Sequence, residues 1–335
     1  MNKEKDNILT DTFGRHHSYL RISLTERCNL RCTYCMPADG IELTPKEHLL
    51  TVDEVFEIAK TFVAHGVTKI RLTGGEPLVR KDFPEILEKL ASLNVSLAIT
   101  TNGVLIPKFL TLLKKYQVAI TISIDSLKEE KFNQITRRNF FQKVWNAIHI
   151  LMEENIEVKL NIVLVKGFND HEILDFIALT KTQPLVIRFI EFMPFDGNSW
   201  NKTQLVSQKE LLDKVLTKHS EKELIRLQDA PNDTARNFKL KDYVGHFAII
   251  SSVTNPFCDS CNRIRLTADG KLKNCLFSSS ETSLLETLRS GNSIIPLIKK
   301  AVGKKHKSRG GMDTFEKLNN PLLHTQNRSM IKIGG

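Results

Sequence analysis

The chain has 335 residues, 41% hydrophobic and 26% charged, with a formal net charge of +10. That balance fits one or two folded globular domains and excludes a disordered chain. No apolar run nears the ~18–20 residues of a membrane helix. The opening MNKEKDNILTDTFG has no apolar core of a secretory signal and carries acidic residues that a transit peptide lacks, so a cytoplasmic protein is expected. Lys plus Arg number 48 against 38 Asp plus Glu, which suits a nucleic acid, a nucleotide or another anion as ligand.

In chain order, a strand is predicted at 19–25, YLRISLT. TVDEVFEIAKTFVAHG follows as a helix. Its Val52, Val55, Phe56, Ala59, Phe62 and Val63 recur at three- and four-residue steps, with Thr51 placed to cap the start and Gly66 to end it. Strands at 69–73, 96–100, 119–125, 157–165 and 185–192 then alternate with helices at 82–93, 105–116, 142–155 and 170–180. Repeated strand–helix units predict an α/β fold, a partial and open βα barrel of about six parallel strands.

Parallel strands covered on both faces read as nearly continuous apolar runs. These strands alternate instead. Arg21, Ser23 and Thr25 share one face of the first; Lys69, Arg71 and Thr73 share one face of the second. Ser96, Ala98 and Thr100 do so in the third, Thr121, Ser123 and Asp125 in the fourth, Lys159 and Asn161 in the fifth. The apolar faces must meet the helices, which leaves the polar faces to line an interior. A lumen holding Arg21, Lys69, Arg71 and Lys159 cannot be packed shut, because unpaired buried charges are costly. A wet lumen with an anionic ligand is therefore predicted. An antiparallel sheet with one solvated face is the alternative.

From about 205 the pattern changes. KELLDKVLTKH reads as a helix and LQDAPNDTARNFKLKDY as a polar, turn-rich stretch. GHFAIISSV and NRIRLTADGKLKNCLF read as short strands, the latter turning at Asp269-Gly270, and helices follow at 281–290 and 293–302. The expected organisation is a partial barrel over 15–205, a connecting segment over 206–245 and a C-terminal α+β domain over 246–335. Lys304, Lys305, Lys307 and Arg309 read as a solvated basic loop.

The six cysteines form two groups of three, Cys28, Cys32 and Cys35, then Cys258, Cys261 and Cys275, with none between. In a reduced compartment such clustering points to two metal sites. The first group lies just past the first strand, at the mouth of the predicted barrel, where active sites sit. Three soft thiolates suit an iron–sulfur cube with one iron left open, or zinc with His48 as a fourth ligand. The second group admits the same choice, with His246 as the fourth zinc ligand. Asn262, Arg263 and Arg265 follow its first two cysteines, so guanidinium groups stand beside the metal and suit a phosphorylated ligand.

Cys-x3-Cys-x2-Cys with Tyr34 between the last two, followed by Gly74-Gly75-Glu76 after the second strand, resembles the radical S-adenosylmethionine (SAM) superfamily. FC-x2-CNR-x-R-x-T-x-DG…CLF, TTNG at 100–103, IRFIEFM at 187–193 and the closing R-x-M-x-x-IGG narrow the likeness to its GTP 3′,8-cyclase family, over about 19 to 335. The resemblance implies two [4Fe–4S] clusters, on Cys28, Cys32 and Cys35 and on Cys258, Cys261 and Cys275. It implies SAM contacts from Tyr34, Gly75, Glu76, Ser123 and Met193. GTP contacts fall to Arg21, Lys69, Arg71, Thr100, Lys159, Arg263 and Arg265. Arg263, Arg265, Gly334 and Gly335 serve catalysis, the two glycines as a tail reaching into the substrate cavity.

The implied reaction removes hydrogen from C3′ of GTP and joins that carbon to C8 of guanine. It gives (8S)-3′,8-cyclo-7,8-dihydroguanosine 5′-triphosphate, an early intermediate of the molybdenum cofactor. The implied partners are an electron donor and a separate cyclic pyranopterin synthase, with no nucleic acid and no membrane; a homodimer stays open. The 228–240 stretch departs from the family pattern, reading DAPNDTARNF where GPA and aromatics are expected, and no ligand contact is assigned there. A radical SAM enzyme acting on RNA or on a peptide is the alternative reading.

Overall fold

The computed structural model describes residues 7–334 other than 38 and 199. The six predicted strands form where the alternation placed them. They are β1 (Tyr19–Ser23), β2 (Lys69–Thr73), β3 (Ser96–Thr101), β4 (Ala119–Ser123), β5 (Val158–Leu164) and β6 (Leu185–Glu191). Each pairs in parallel with the next. The helices α1 (Val52–Ala64), α2 (Phe83–Ala91), α3 (Ile106–Lys115), α4 (Glu129–Thr136), α5 (Phe141–Glu153) and α6 (Ile173–Leu179) cross between them. Thr51 caps α1 in a full capping box with Glu54, and α1 buries Val55, Ile58, Ala59 and Phe62 against the sheet. Phe56 falls off that stripe, under the ammonium groups of Lys60 and Lys89. The short helix α4, polar on its outer face, is an element the sequence reading lacked.

The C-terminal strands do not form a sheet of their own. They are β7 (Leu224–Arg226), β8 (Arg236–Leu240), β9 (His246–Ile250), β10 (Arg263–Leu266), β11 (Lys271–Lys273) and β12 (Thr282–Ser283). β10 adds in parallel to β1 and β9 in parallel to β6, so one sheet runs β12-β11-β10-β1-β2-β3-β4-β5-β6-β9-β8-β7. The outer strands at both ends are antiparallel. β8 lies inside the stretch read as turns; its Phe238 and Leu240 are buried and supply the alternation. The main core is the layer between the apolar strand faces and the helices. Among the described residues no helix is long and apolar enough to cross a membrane.

Candidate active site

Strand alternation and parallel register build the site directly. Arg265 of β10 stands opposite Arg21 of β1, which stands opposite Arg71 of β2. The next row reads Arg263, Tyr19 and Lys69. Like charges directly across strands repel, so these rows are stable only around something negative or a good set of acceptors. Arg71 has the second. It is buried, and its guanidinium donates to the Tyr19 hydroxyl (2.5 Å), Ile99 O (3.0 Å), Thr100 Oγ1 (3.2 Å) and Thr121 Oγ1 (3.1 Å).

The rows open into a cavity of about 580 Å³. Arg21, Lys69, Arg71, Thr100, Lys159, Arg263 and Arg265, the whole predicted anion-binding set, line it. So do Cys258, Cys261 and Cys275, together with Met193. The crowding is visible in the titration of the cations. Burial and facing Arg265 hold Arg21 well below its usual range. Burial, then Arg263, brings Arg265 down to about 10; burial, then Arg71, does the same to Arg188. A polyanion in the cavity offsets the repulsion among these cations.

The first triplet sits past the C-terminal end of β1, outside the cavity wall. Its loop is tied to α4: Arg31 N donates to Thr136 O (2.9 Å) and Thr33 N to Ile135 O (2.8 Å). Gly75 packs on the same loop. A Cβ there would meet Arg27 O at 2.4 Å, so only glycine allows the approach in which Gly75 N bonds Thr25 O (2.7 Å) and Glu76 N bonds Arg27 O (2.8 Å). Glu76 is turned into the protein. Its carboxylate accepts from Leu78 N (3.1 Å), Thr101 Oγ1 (2.7 Å) and Asn102 N (2.7 Å), and burial raises it to about 7. The Tyr34 hydroxyl donates to Asp125 (2.7 Å). Ser123 ends β4, half-buried, opposite Asn161 of β5. Of the residues expected to hold SAM, only Met193 reaches the main cavity; the others gather at the strand ends beside the first triplet.

The thiols fit iron–sulfur ligation. In each group they lie near enough to raise one another after burial has done so, as at Cys32 and Cys275. Yet among the described residues no three His, Cys, Asp or Glu converge closely enough for a single metal ion. Neither His48 nor His246 joins the thiols in such a set. Backbone amides point at the sulfurs: Leu30 N to Cys28 Sγ (3.4 Å) and Arg309 N to Cys258 Sγ (3.3 Å), the bonds that tune cluster thiolates.

The tail enters the site. Gly334 O accepts from Arg265 Nη1 (2.7 Å), and its Cα faces Thr73 and Ser23 so closely that a Cβ would stand 2.6 Å from Thr73 Oγ1. Its φ of +85° adds a second reason for glycine there. Gly335 lies outside the described residues.

Among the cavity residues that the sequence reading did not place there are Tyr19, Arg188, Lys305 and Arg309. Tyr19 shares the face of Arg21, and Arg188 is the one cation of β6, so alternation had offered both. Lys305 and Arg309 correct an expectation. Lys304 and Lys307 are solvated, but Lys305 is buried and donates to Arg263 O (2.8 Å) and Asn274 O (2.5 Å). Arg309 is buried and donates to Val253 O (2.8 Å). Distant carbonyls made those burials, and no local pattern announces them. The 228–240 stretch also faces the cavity, through Gln228, Ala230, Asn232, Asp233 and Thr234 among others.

Residues 22–180 match the Radical SAM superfamily, and residues 185–310 match the family described as Molybdenum Cofactor Synthesis C. The chain is 49% identical over 324 residues to molybdenum cofactor biosynthesis protein 1 of Bos taurus, covering 94% of this chain and 51% of that protein. It thus spans about half the length of that relative. It is 48% identical to the mitochondrial GTP 3′,8-cyclase of Arabidopsis thaliana, covering 99% of this chain and 85% of that one. It is 37% identical to the GTP 3′,8-cyclase of Alkaliphilus oremlandii, covering 98% of this chain and all of that one. Among solved structures, Streptococcus suis SuiB bound to S-adenosylmethionine superposes with a TM-score of 0.57 at 16% identity, covering 81% of this chain and 65% of that one. Native anSMEcpe with bound AdoMet does so with a TM-score of 0.57 at 15% identity, covering 90% and 84%. Those two likenesses speak for the fold. The identities across nearly the full chain speak for more: the chain belongs to the GTP 3′,8-cyclase family of the radical SAM superfamily.

Proposed function

We propose that this chain is a GTP 3′,8-cyclase, a lyase that converts GTP to the 3′,8-cyclo nucleotide on the route to the molybdenum cofactor. The observation that carries the reading is the arginine row Arg265, Arg21, Arg71 on the wall of a cavity that also presents Cys258, Cys261 and Cys275. A triphosphate brings about four negative charges, the complement of such a row.

In this reading Cys28, Cys32 and Cys35 hold one [4Fe–4S] cluster, with SAM beside Tyr34, Gly75, Glu76, Ser123 and Met193. Cys258, Cys261 and Cys275 hold a second, facing the guanine. The reduced first cluster with SAM supplies the hydrogen-abstracting radical chemistry. The chain's own part is position and charge. Arg21, Lys69, Arg71 and Lys159 orient the triphosphate, with Thr100 beside them. Arg263 and Arg265 bridge it to the second triplet. Gly334 narrows the space around the ribose, with Arg265 fixing the tail through Gly334 O, and Gly335 shares its catalytic assignment. A partial barrel over 15–205 and a second-cluster region over 246–335, joined by 206–245, divide these tasks. We further propose a cytoplasmic enzyme that takes electrons from a separate donor and passes its product to a cyclic pyranopterin synthase, with no nucleic acid or membrane partner; a homodimer is compatible with this reading.

The test is anaerobic incubation of reconstituted protein with SAM, reductant and a panel of nucleotides, RNA and peptides. GTP alone should yield a product isomeric with it, with one 5′-deoxyadenosine formed per turnover. Modification of a peptide or RNA with GTP untouched would replace this reading.

A further inference from the structure

Outside the cavity, a segment that plays no part in the proposed chemistry lies against the second cysteine triplet. Residues 7–18 form a tight strap ahead of β1. Ile8 and Leu9 anchor it in the core. Asp11 N bonds Arg15 O (3.1 Å), Gly14 N bonds Asp11 O (3.0 Å) and His17 N bonds Leu9 O (2.8 Å), which closes the strap on itself.

One side chain projects from it across the fold. Arg15 donates through Nη1 to Cys258 O (2.8 Å) and Lys307 O (2.8 Å), and through Nη2 to His306 O (2.8 Å). These three carbonyls lie 243 to 292 residues further along the chain. The guanidinium is aimed by Asp11, whose carboxylate accepts from Arg15 Nε (2.7 Å), Arg15 N (3.0 Å) and Phe13 N (2.9 Å), with His17 Nε2 3.2 Å away. Asp11 and His17 are both buried.

The contact goes to the metal-binding loop at both of its ends. Arg15 holds the carbonyl of Cys258. Ser18 Oγ takes a hydrogen bond from Asn262 Nδ2 (3.2 Å), and Tyr19 N donates to Asn262 O (3.1 Å). Through His306 and Lys307, Arg15 also fixes the loop that delivers Arg309 N to Cys258 Sγ (3.3 Å). Among the described residues no hydrogen bond joins the strap to the loop of Cys28, Cys32 and Cys35.

We propose that Arg15, oriented by Asp11, is the positioning residue for the second cluster: it sets the backbone of Cys258 and the amide aimed at that cysteine's sulfur. The inference rests on the two-cluster reading above. Outer partners of metal ligands govern affinity and potential without touching the metal. A planar guanidinium spreads its donors over two nitrogens in a fixed plane and so holds three separate carbonyls in register, where an ammonium group donates from a single point.

The experiment uses the reconstituted full chain, with iron content, electron paramagnetic resonance and melting temperature as readouts. Wild type should hold about eight irons. Arg15→Gln should retain the signal of the first cluster and fall to about four irons. It should otherwise release second-cluster iron to a chelator at least roughly tenfold faster. Arg15→Lys should lie between. Asp11→Asn, which keeps the shape of the strap, should shift the resonance signature and reduction potential of the second cluster while leaving those of the first in place. Wild-type iron, signature and potential in both Arg15→Gln and Asp11→Asn would overturn the proposal. So would equal loss of both clusters, which would make the strap a general folding element. Wild-type protein holding only about four irons would instead sink the two-cluster reading, whatever the variants do.

Discussion

The two cysteine triplets are held by different means and stand in different fields. Around the first, burial dominates and the charges that weigh most are carboxylates, against which Arg31 acts weakly at Cys28. Burial, then Glu76, raises Cys28 to about 11; burial, then the neighbouring Cys28 and Asp125, raises Cys35 to about 12. Around the second, burial again pushes upward, but Arg263 and Lys305 overrule it at Cys261 and bring that thiol down to about 6. The first loop is held by α4 and by Arg137, which donates to Arg31 O and Met36 O (both 3.1 Å) within about one hundred residues of chain. The second is held by the two ends of the protein, Arg15 and Arg309. The first is thus a socket at the strand ends, tied to elements nearer in the chain. The second is part of the cationic wall of the main cavity. Its cysteines and the cations Arg21, Arg71, Arg263 and Arg265 line one wall together.

The largest expected effects separate those two roles. Cys28→Ser, Cys32→Ser or Cys35→Ser should abolish reductive cleavage of SAM altogether. Cys258→Ser, Cys261→Ser or Cys275→Ser should leave SAM cleavage measurable and abolish the nucleotide product. Chromatography of 5′-deoxyadenosine beside the nucleotide pool reads both. If both sets of variants lose SAM cleavage alike, the division of labour fails.

Next in size is the tail, whose Gly334 is pinned by Arg265 between β1 and β2. Deleting Gly334 and Gly335 should leave both clusters and GTP affinity near wild type, while cyclisation falls by orders of magnitude. Gly334→Ala should act in the same direction, since the added carbon meets Thr73 Oγ1 at 2.6 Å in a backbone region that L-residues avoid. A truncated enzyme that forms product at the normal rate would return the tail to a passive end.

The cation wall follows. Arg263→Ala, Arg265→Ala, Arg71→Ala and Lys159→Ala should each weaken GTP binding by about 1–3 kcal/mol, the range for a lost charged hydrogen bond. Arg71 should sit at the upper end, being buried with four partners. Lys159 should sit at the lower end, because its side chain is 39% exposed and already paired with Glu157 at 2.8 Å. Equilibrium binding with iron content as control decides the ranking; unchanged affinity in all four removes the wall from the argument.

What the sequence disclosed follows the range of the forces involved. The side-chain period of a strand is local, so alternation alone put Arg21, Lys69, Arg71, Thr100 and Lys159 on one lumen. The capping box at Thr51 and Glu54 is local too. The docking of β10 beside β1 is a pairing across more than 240 residues of sequence, and with it came the Arg265–Arg21 opposition that no period contains. β8 hid because Arg236 and Asn237 beside a turn-rich run mask the two inward positions, Phe238 and Leu240. Lys305 and Arg309 look like any solvated basic loop until the carbonyls of Arg263, Asn274 and Val253 are brought to them. The strap at 7–18 carries no metal-site motif at all.

The smallest expected effect is a pH dependence, and it probes the wall without removing a charge. Burial would raise the phenol of Tyr19, but Arg71 and Arg21 overrule it and lower it to about 8. Arg71 Nε donates to that oxygen at 2.5 Å, so the cations of the cavity stabilise the phenolate relative to a phenol in water. A bound triphosphate takes over those guanidinium groups and removes that stabilisation, returning the phenol toward its ordinary value near 10. Between those two values the complex therefore holds more protons than the free protein. Binding takes up a proton, and affinity falls as pH rises through about 8, by at most about tenfold per pH unit. Below that range the phenol is protonated in both states and the dependence vanishes. Tyr19→Phe should match wild type there and lose the decline above it. Titration of phenolate absorbance with and without GTP gives the same quantity directly: a midpoint near 8 alone, moving upward with nucleotide. A midpoint already at the ordinary value in the free protein, or a Phe variant that keeps the wild-type decline, would mean that the cations of the first two strands are not the field the triphosphate meets.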